Sequence, residues 1–297
     1  MTMTQDLEAI RQKIDTLDNA IHDLLMERTE LVGQIADFKK KNNLQTCVPS
    51  REVQLIRRVL GRHKGALNKA SLIQIWRELI GAVTIMQADL KCAVTIKDAM
   101  DRQIYWENAR DYFGVAFPFV AAKSASAAIN QLRDGAVDFA VLPCPSDEDD
   151  APWWPILAED IKNPVKILVK LPFVKTPDKD KFEHPALVLG RFDYKDSGHD
   201  NSFIFIDADS RTSRGRVIDL AKQHNMPAIS MNSHSSQGHN SQGAESRTYH
   251  LAEVEGYVNE ESRSFKAFCE SLNDKTARVF VAGGYPVSPE IEIPNAL

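Results

Sequence analysis

Cysteine is scarce: Cys47, Cys92, Cys144 and Cys269 are the four in 297 residues, with no CxxC pair and no neighbouring histidine. That scatter excludes a disulfide framework, gives no thiolate zinc site, and reads as the reduced thiols of a cytosolic protein. No stretch approaches the roughly 20 consecutive apolar residues of a membrane span. The polar N-terminus shows no apolar core of a secretory signal. Basic residues are not in excess either. Lys and Arg number 36 against 41 Asp and Glu, for a net charge of -5, which argues against a general nucleic-acid binder. Between residues 6 and 43 there is no proline, and glycine occurs only at Gly33.

What is present is ordinary in bulk, with 43% hydrophobic and 26% charged residues, and long enough for two or three domains with cores of their own. The pattern is less ordinary. Leu7, Ile10, Ile14, Leu17, Ile21, Leu24, Arg28, Leu31, Ile35 and Phe38 alternate by three and four, the seam of a long helix packed on partner helices. Arg28 is the one cation on that stripe, and no acidic residue on it can pair with the guanidinium. An unpaired buried charge is very costly. Either Arg28 sets register, or its anion is a ligand.

The helix over residues 6–43 spans more than ~50 Å. A second is expected from Pro49, suited to a first helical position, to about Arg62. A third runs from about Asn68 to Asp89 with Leu72, Trp76, Leu79, Ile80, Val83 and Met86 inward. Two short helices cannot cover so long a seam, so a homodimer is the natural arrangement. Arg11 and Lys39 share the heptad position beside the seam and lie roughly 42 Å apart along it. Antiparallel pairing of two such helices places Arg11 of one chain near Lys39 of the other with Arg28 between, giving two cationic pockets; solvated flanking charges are the alternative. Arg51 and Glu52 edge the apolar face of the second helix, and Gln87 lies on the inward stripe of the third, where its amide needs partners. Several cations, one carboxylate and one amide suit a small dianion carrying a hydroxyl.

After Lys91 short apolar runs alternate with helices. Strands are expected at Cys92–Ile96, Phe117–Ala121, Val137–Leu142, Val165–Leu171 and Ala186–Leu189, and helices at Gln103–Phe113 and Ser124–Arg133, an α/β pattern. The acidic, proline-containing stretch Pro145–Trp154 reads as a loop, its Trp153–Trp154 pair as a packing anchor. From Ser202 the order becomes βαββαβ, a ferredoxin-like unit. Its strands fall at Phe203–Asp207, Pro227–Asn232, Thr248–Val258 and Ala277–Ala282, and its helices at Ser213–His224 and Ser262–Leu272. The low-complexity run Ser233–Ser246 reads as a disordered loop in the central hairpin. His224, His234 and His239 lack a fixed ligand spacing, so no metal is expected.

Residues 5–90 resemble the all-helical class of chorismate mutase, a domain-swapped three-helix dimer. The resemblance rests on Ile10-Arg11-Gln12-Lys13-Ile14-Asp15-Thr16-Leu17-Asp18, on Glu27-Arg28, Lys39 and Arg51-Glu52, and on the run Ile75-Trp76-Arg77-Glu78-Leu79-Ile80 and Gln87, in the family's order and spacing. It implies the pericyclic rearrangement of chorismate to prephenate, with no metal or cofactor. By the same resemblance Arg11 of the partner chain and Arg28 hold the carboxylates, and Arg51 assists at the ring side. Lys39 and Gln87 donate to the ether oxygen, and Glu52 accepts from the ring hydroxyl. Two substrate-binding positions depart from the family. Val48 replaces its aspartate, leaving a backbone contact, and Val83 replaces its serine, weakening one carboxylate contact.

Further on, Asp111-Tyr112-Phe113-Gly114 and the run from Gln131 to Pro143 resemble one lobe of prephenate dehydratase, and Ala277–Pro286 resembles the end of its regulatory ACT domain. The second lobe has no counterpart. Ile96–Asp101 lacks the glycine-rich turn, Cys144-Pro145-Ser146-Asp147 replaces a polar segment, and Gly190-Arg191-Phe192 lacks the hydroxyl of Thr-Arg-Phe. The ACT ligand motif has become Met231-Asn232-Ser233-His234. The expectation is a multidomain cytoplasmic protein: an all-α mutase domain (1–90), a degenerate α/β dehydratase-like lobe (91–196) and an α+β ACT-like unit (197–297). It acts as a chorismate mutase homodimer without dehydratase activity, with an amino-acid effector at the ACT-like unit left open. A working bifunctional mutase–dehydratase and a non-catalytic helical dimerisation module are the rivals.

Overall fold

The computed structural model describes residues 3–149, 151–159, 164–174, 183–236, 247–289 and 291. It comprises two compact units, residues 1–46 with 83–89, and residues 47–82 with 90–297. A helical N-terminal region is followed by a mixed α/β sheet region.

The first unit is dominated by α1, Met3–Lys41. Asp6 in its first turn and Lys39, Lys40 and Lys41 in its last complement the helix dipole. The helix stops where Asn43 turns left-handed (φ 50°) and the Leu44 amide donates back to the Lys39 carbonyl at 2.9 Å. The heptad stripe lies along α1 as the spacing requires. Its nine apolar members stay exposed in the single chain, from 48% at Leu7 to 64% at Leu24. The last turn of α3 (Lys69–Gln87) completes this unit.

The second unit begins with α2, Pro49–Arg62, whose buried face carries Val53 and Ile56. Val48 stands at its N-cap, where no side chain accepts a hydrogen bond from the first turn. The aspartate of the resembled family would supply that acceptor. Val48→Asp is expected to raise stability by about 1 kcal/mol in urea unfolding; an unchanged midpoint would contradict this account of the cap. On the other side of α2, Arg57 donates to Ser197 O (3.0 Å), Ser197 Oγ (3.1 Å), His199 O (2.8 Å) and Val287 O (2.8 Å). Four acceptors on one guanidinium fix α2 to the chain segments that flank the sheet.

On α3 Ile80 and Val83 are buried as the spacing predicts, Ile73 and Arg77 join them at 1% and 2% exposure, and Met86, expected inward, is 65% exposed. Gly81 lets this part of α3 approach the chain at Phe113 backbone to backbone. A Cβ there would stand 1.8 Å from the Phe113 carbonyl oxygen. Gly81→Ala is therefore expected to cost about 1–3 kcal/mol, measured by thermal unfolding, and a neutral substitution would show that α3 does not dock this way.

One sheet carries all nine described strands, in the order β2-β1-β3-β5-β4-β9-β6-β8-β7. They are β1 (Cys92–Thr95), β2 (Phe119–Ala122), β3 (Phe139–Pro143), β4 (Lys166–Leu171), β5 (Ala186–Gly190), β6 (Asp200–Asp209), β7 (Ala228–Ser236), β8 (Arg247–Glu255) and β9 (Arg278–Pro286). β1 pairs parallel with β2 and β3, while β6–β9 form an antiparallel set. The residue 196/197 boundary falls inside this sheet, because β4 pairs with β9 at Ile167 and Gly283. Gly283 permits that approach. Its φ is 120°, and a Cβ would lie 2.2 Å from the Ile167 carbonyl oxygen.

The helices on the sheet start where short polar side chains cap them. Asp98 caps α4 (Ala99–Asp101), Ser124 caps α6 (Ala125–Arg133), Ser213 caps α7 (Arg214–Gln223) and Ser262 caps α8 (Arg263–Ser271). The helix expected from Gln103 thus begins four residues earlier. It passes through a π-turn (Arg102–Trp106) before α5 (Glu107–Phe113). β7 continues through Ser236, so the first part of the expected loop is strand, and residues 237–246 lie outside the described residues. Trp153 and Trp154 pack as anchors: both are buried, Trp153 Nε1 donates to Pro143 O at 2.9 Å, and Trp154 meets Phe205 edge-on.

His250 on β8 is 1% exposed, with Nδ1 on Ser233 Oγ (2.8 Å) and Nε2 on the Thr212 carbonyl (3.1 Å). Burial, aided by Arg214, holds its pKa below the ordinary histidine value. The unfolded chain therefore binds a proton first on acidification, and stability falls as pH drops below ~6.5. The loss in melting temperature between neutral pH and about pH 5.5 is expected to shrink in His250→Asn; an equal loss would contradict this assignment.

Candidate active site

In the first unit Lys39 and Gln87 face one cavity of about 340 Å³, lined also by Leu44 and Thr46. Lys39 Nζ donates to the Thr46 carbonyl at 2.7 Å, so the turn after α1 aims the ammonium. Gln87 Nε2 donates to the Val83 carbonyl at 3.2 Å, while its Oε1 is buried and meets no hydrogen-bond partner. An unmet buried acceptor costs about 1–3 kcal/mol. Val83 is buried, and only its backbone takes part.

Arg28 is partly buried on α1, and the loss of water pulls its guanidinium pKa below the usual value. Arg11 is exposed and holds a loose pair with Glu8 at 3.7 Å. Within one chain it lies nearly eight turns of α1 from Lys39, too far to meet it.

The second unit carries Val48, Arg51 and Glu52. Arg51 is exposed. Glu52 Oε2 accepts from Arg77 Nη1 at 2.9 Å and from the Tyr112 hydroxyl at 3.5 Å, and Oε1 faces the Cys47 thiol at 3.5 Å. Arg77 also donates through Nε to the Tyr112 carbonyl at 2.6 Å, with its Cζ 3.7 Å above the Tyr112 ring. Burial works against the charged guanidinium, yet Tyr112 and Glu52 outweigh it and Arg77 is held above its ordinary pKa. Burial, then the Glu52 charge, pushes the Tyr112 phenol well up, so it stays a neutral donor. Arg77 was legible in principle. An arginine in register with Ile73 and Ile80 is the same signal that singles out Arg28.

A larger cavity of about 790 Å³ opens at the carboxyl ends of β1 and β3. The chain leaves β1 for β2 on one side and reaches β3 on the other, the crevice where open α/β sheets bind ligands. Its lining carries five carboxylates, Asp101, Asp147, Glu148, Asp149 and Glu183, against two permanent cations, Lys97 and Arg214. Arg214 is already paired with Asp147 at 2.7 Å, and Asn232 donates to the same carboxylate. At the opposite end of β3, Phe192 stacks on Phe139 at 5.0 Å and Arg191 donates to the Arg133 carbonyl.

Among the described residues no group of three His, Cys, Asp or Glu side chains could hold a metal, and no helix is long and apolar enough to cross a membrane. His224 hydrogen-bonds Ser271 Oγ at 2.9 Å, and His239 lies outside the described residues.

The stretch that holds Arg28, Lys39, Arg51, Glu52 and Gln87 is the one that matches a known family. Residues 10–88 match the family of type II chorismate mutases. Among curated proteins, the bifunctional chorismate mutase/prephenate dehydratase of Aquifex aeolicus is 27% identical over 143 residues, 47% of this chain and 39% of that protein. The bifunctional enzyme of Stutzerimonas stutzeri is 24% identical over 156 residues, 51% of this chain and 42% of that one. The match to each thus spans about two-fifths of the relative's length. Among solved structures, a prephenate dehydratase from Streptococcus mutans is 14% identical with a TM-score of 0.43, over 66% of this chain and 97% of that chain. The type II mutase segment therefore coincides with α1–α3, and the sheet region follows it.

Proposed function

We propose that the chain rearranges chorismate to prephenate. The observation that carries the reading is the cavity shared by Lys39 and Gln87 inside the segment that matches the type II mutases. The reaction is unimolecular: one carbon–oxygen bond breaks as one carbon–carbon bond forms, and no proton or electron leaves the molecule. Catalysis then reduces to holding a flexible dianion in its reactive shape and stabilising charge on the ether oxygen. Lys39 and Gln87 donate to that oxygen. Arg11 and Arg28 bind the carboxylates by paired hydrogen bonds, Arg51 assists, and Glu52 accepts the ring hydroxyl.

The active form in this reading is a homodimer, because nine exposed apolar residues on one stripe require a cover and Arg11 must come from a second chain. The sheet region serves as a structural extension, its ACT-like strands joined to the α/β strands through β4 and β9. Dehydratase activity is absent in this account. Prephenate carries two carboxylates, and the cavity at the strand ends presents five more against few free cations. Purified protein given chorismate is expected to accumulate prephenate with no phenylpyruvate. Phenylpyruvate formed at a comparable rate would overturn the second half of this reading, and untouched chorismate the first.

A further inference from the structure

Glu52 is assigned above to the ring hydroxyl, a task that depends on where its carboxylate points. We propose that Arg77 is the positioning residue for Glu52, and that α5 of the sheet region holds Arg77 in place. The inference rests on the mutase reading and adds to it a dependence of substrate recognition on residues beyond the mutase-family segment.

A glutamate at the start of a helix has several open rotamers. Here Arg77 Nη1 takes Oε2 at 2.9 Å, and the Tyr112 hydroxyl reaches the same oxygen. Oε1 is left facing the Cys47 thiol at 3.5 Å, a weak donor that an alcohol displaces. Arg77 is held in place, since its Nε donates to the Tyr112 carbonyl at 2.6 Å and its guanidinium lies over the Tyr112 ring (3.7 Å) with the Phe173 ring alongside (5.6 Å). Tyr112 is fixed in turn: it is buried at 4% exposure and packs edge-on against Phe113. The chain of contacts therefore runs from α5 through a buried guanidinium to one oxygen of Glu52, leaving the other for a hydroxyl. Lysine lacks the rigid planar fork that fixes the directions to a carboxylate and a carbonyl while lying over a ring.

A substrate analogue lacking the ring hydroxyl separates positioning from general support. The full-length wild type is expected to prefer chorismate to the 4-deoxy analogue, because a site built around a hydroxyl rejects its absence. In Arg77→Met, kcat/KM for chorismate is expected to fall by on the order of 10–100-fold, while the analogue changes less than about twofold, erasing the preference. Tyr112→Phe, which keeps the ring and the carbonyl, reads the same contact in a milder form if Arg77→Met does not fold. A hydroxyl-selective loss of a few-fold is expected there. Equal losses on both substrates, or none, in a folded variant would overturn the positioning role. A wild type inert towards both would instead overturn the mutase reading, and this inference with it.

Discussion

Lys39→Ala is expected to lower kcat for chorismate by roughly 10²–10³-fold, the effect of deleting one preorganised donor to a developing oxyanion. The ether oxygen gains negative charge only as its bond to carbon stretches, so the ammonium binds the transition state more tightly than the substrate. KM should therefore move far less than kcat. Lys39 is well placed for this, since its Nζ is tethered to the Thr46 carbonyl at 2.7 Å at the mouth of the cavity that Gln87 also lines. The substitution lies at the end of α1 and removes the partly buried hydrogen bond to Thr46, so the helix content by circular dichroism should be unchanged. A variant within tenfold of wild-type kcat would place the chemistry elsewhere.

The second large effect is expected on the apolar stripe. Leu24→Glu should convert a dimer into a monomer in sedimentation equilibrium and abolish turnover in the same sample. Leu24 is the most exposed of the nine apolar stripe residues, at 64%. Burying a leucine contributes about 1.5–3 kcal/mol, and in a two-fold seam each substitution acts twice. A glutamate there forfeits that gain and adds the cost of an unpaired buried carboxylate. Turnover should vanish with the dimer because Arg11 and Lys39 of one helix are too far apart to share a substrate. A monomer with full activity would refute the shared site, and a Leu24→Glu dimer would refute the seam.

How much of this was legible in the sequence depends on the range of each signal. The length of α1, its stripe and the misfit at Arg28 were legible because a 3.5-residue period repeats many times over. The helix starts at Ser124, Ser213 and Ser262 were equally local, whereas the start capped by Asp98 was missed in favour of Gln103. The burial of Ile73 and Arg77 on α3 was not local, because Gly81 docks against the Phe113 carbonyl and that contact joins residues distant in sequence. The pairing of β4 with β9 has no local signal beyond a glycine at 283, so strands read as two separate units run in one sheet. Of the candidate residues, Lys39 and Gln87 come together around a cavity, while Glu52 is engaged by Arg77 and Tyr112. That engagement could be read from neither run alone, since it depends on α5 meeting α3.

Catalysis and mere assembly differ in whether the arginine in the seam serves a substrate. Disappearance of chorismate should be followed with purified wild type beside Arg28→Ala, and the association state of both measured at the same concentration. Turnover by the wild type, with a loss of at least ~10²-fold in a variant that remains a dimer, is the expected result. A wild type without turnover, or an Arg28→Ala dimer as active as its parent, would contradict it and leave the helices as an assembly device.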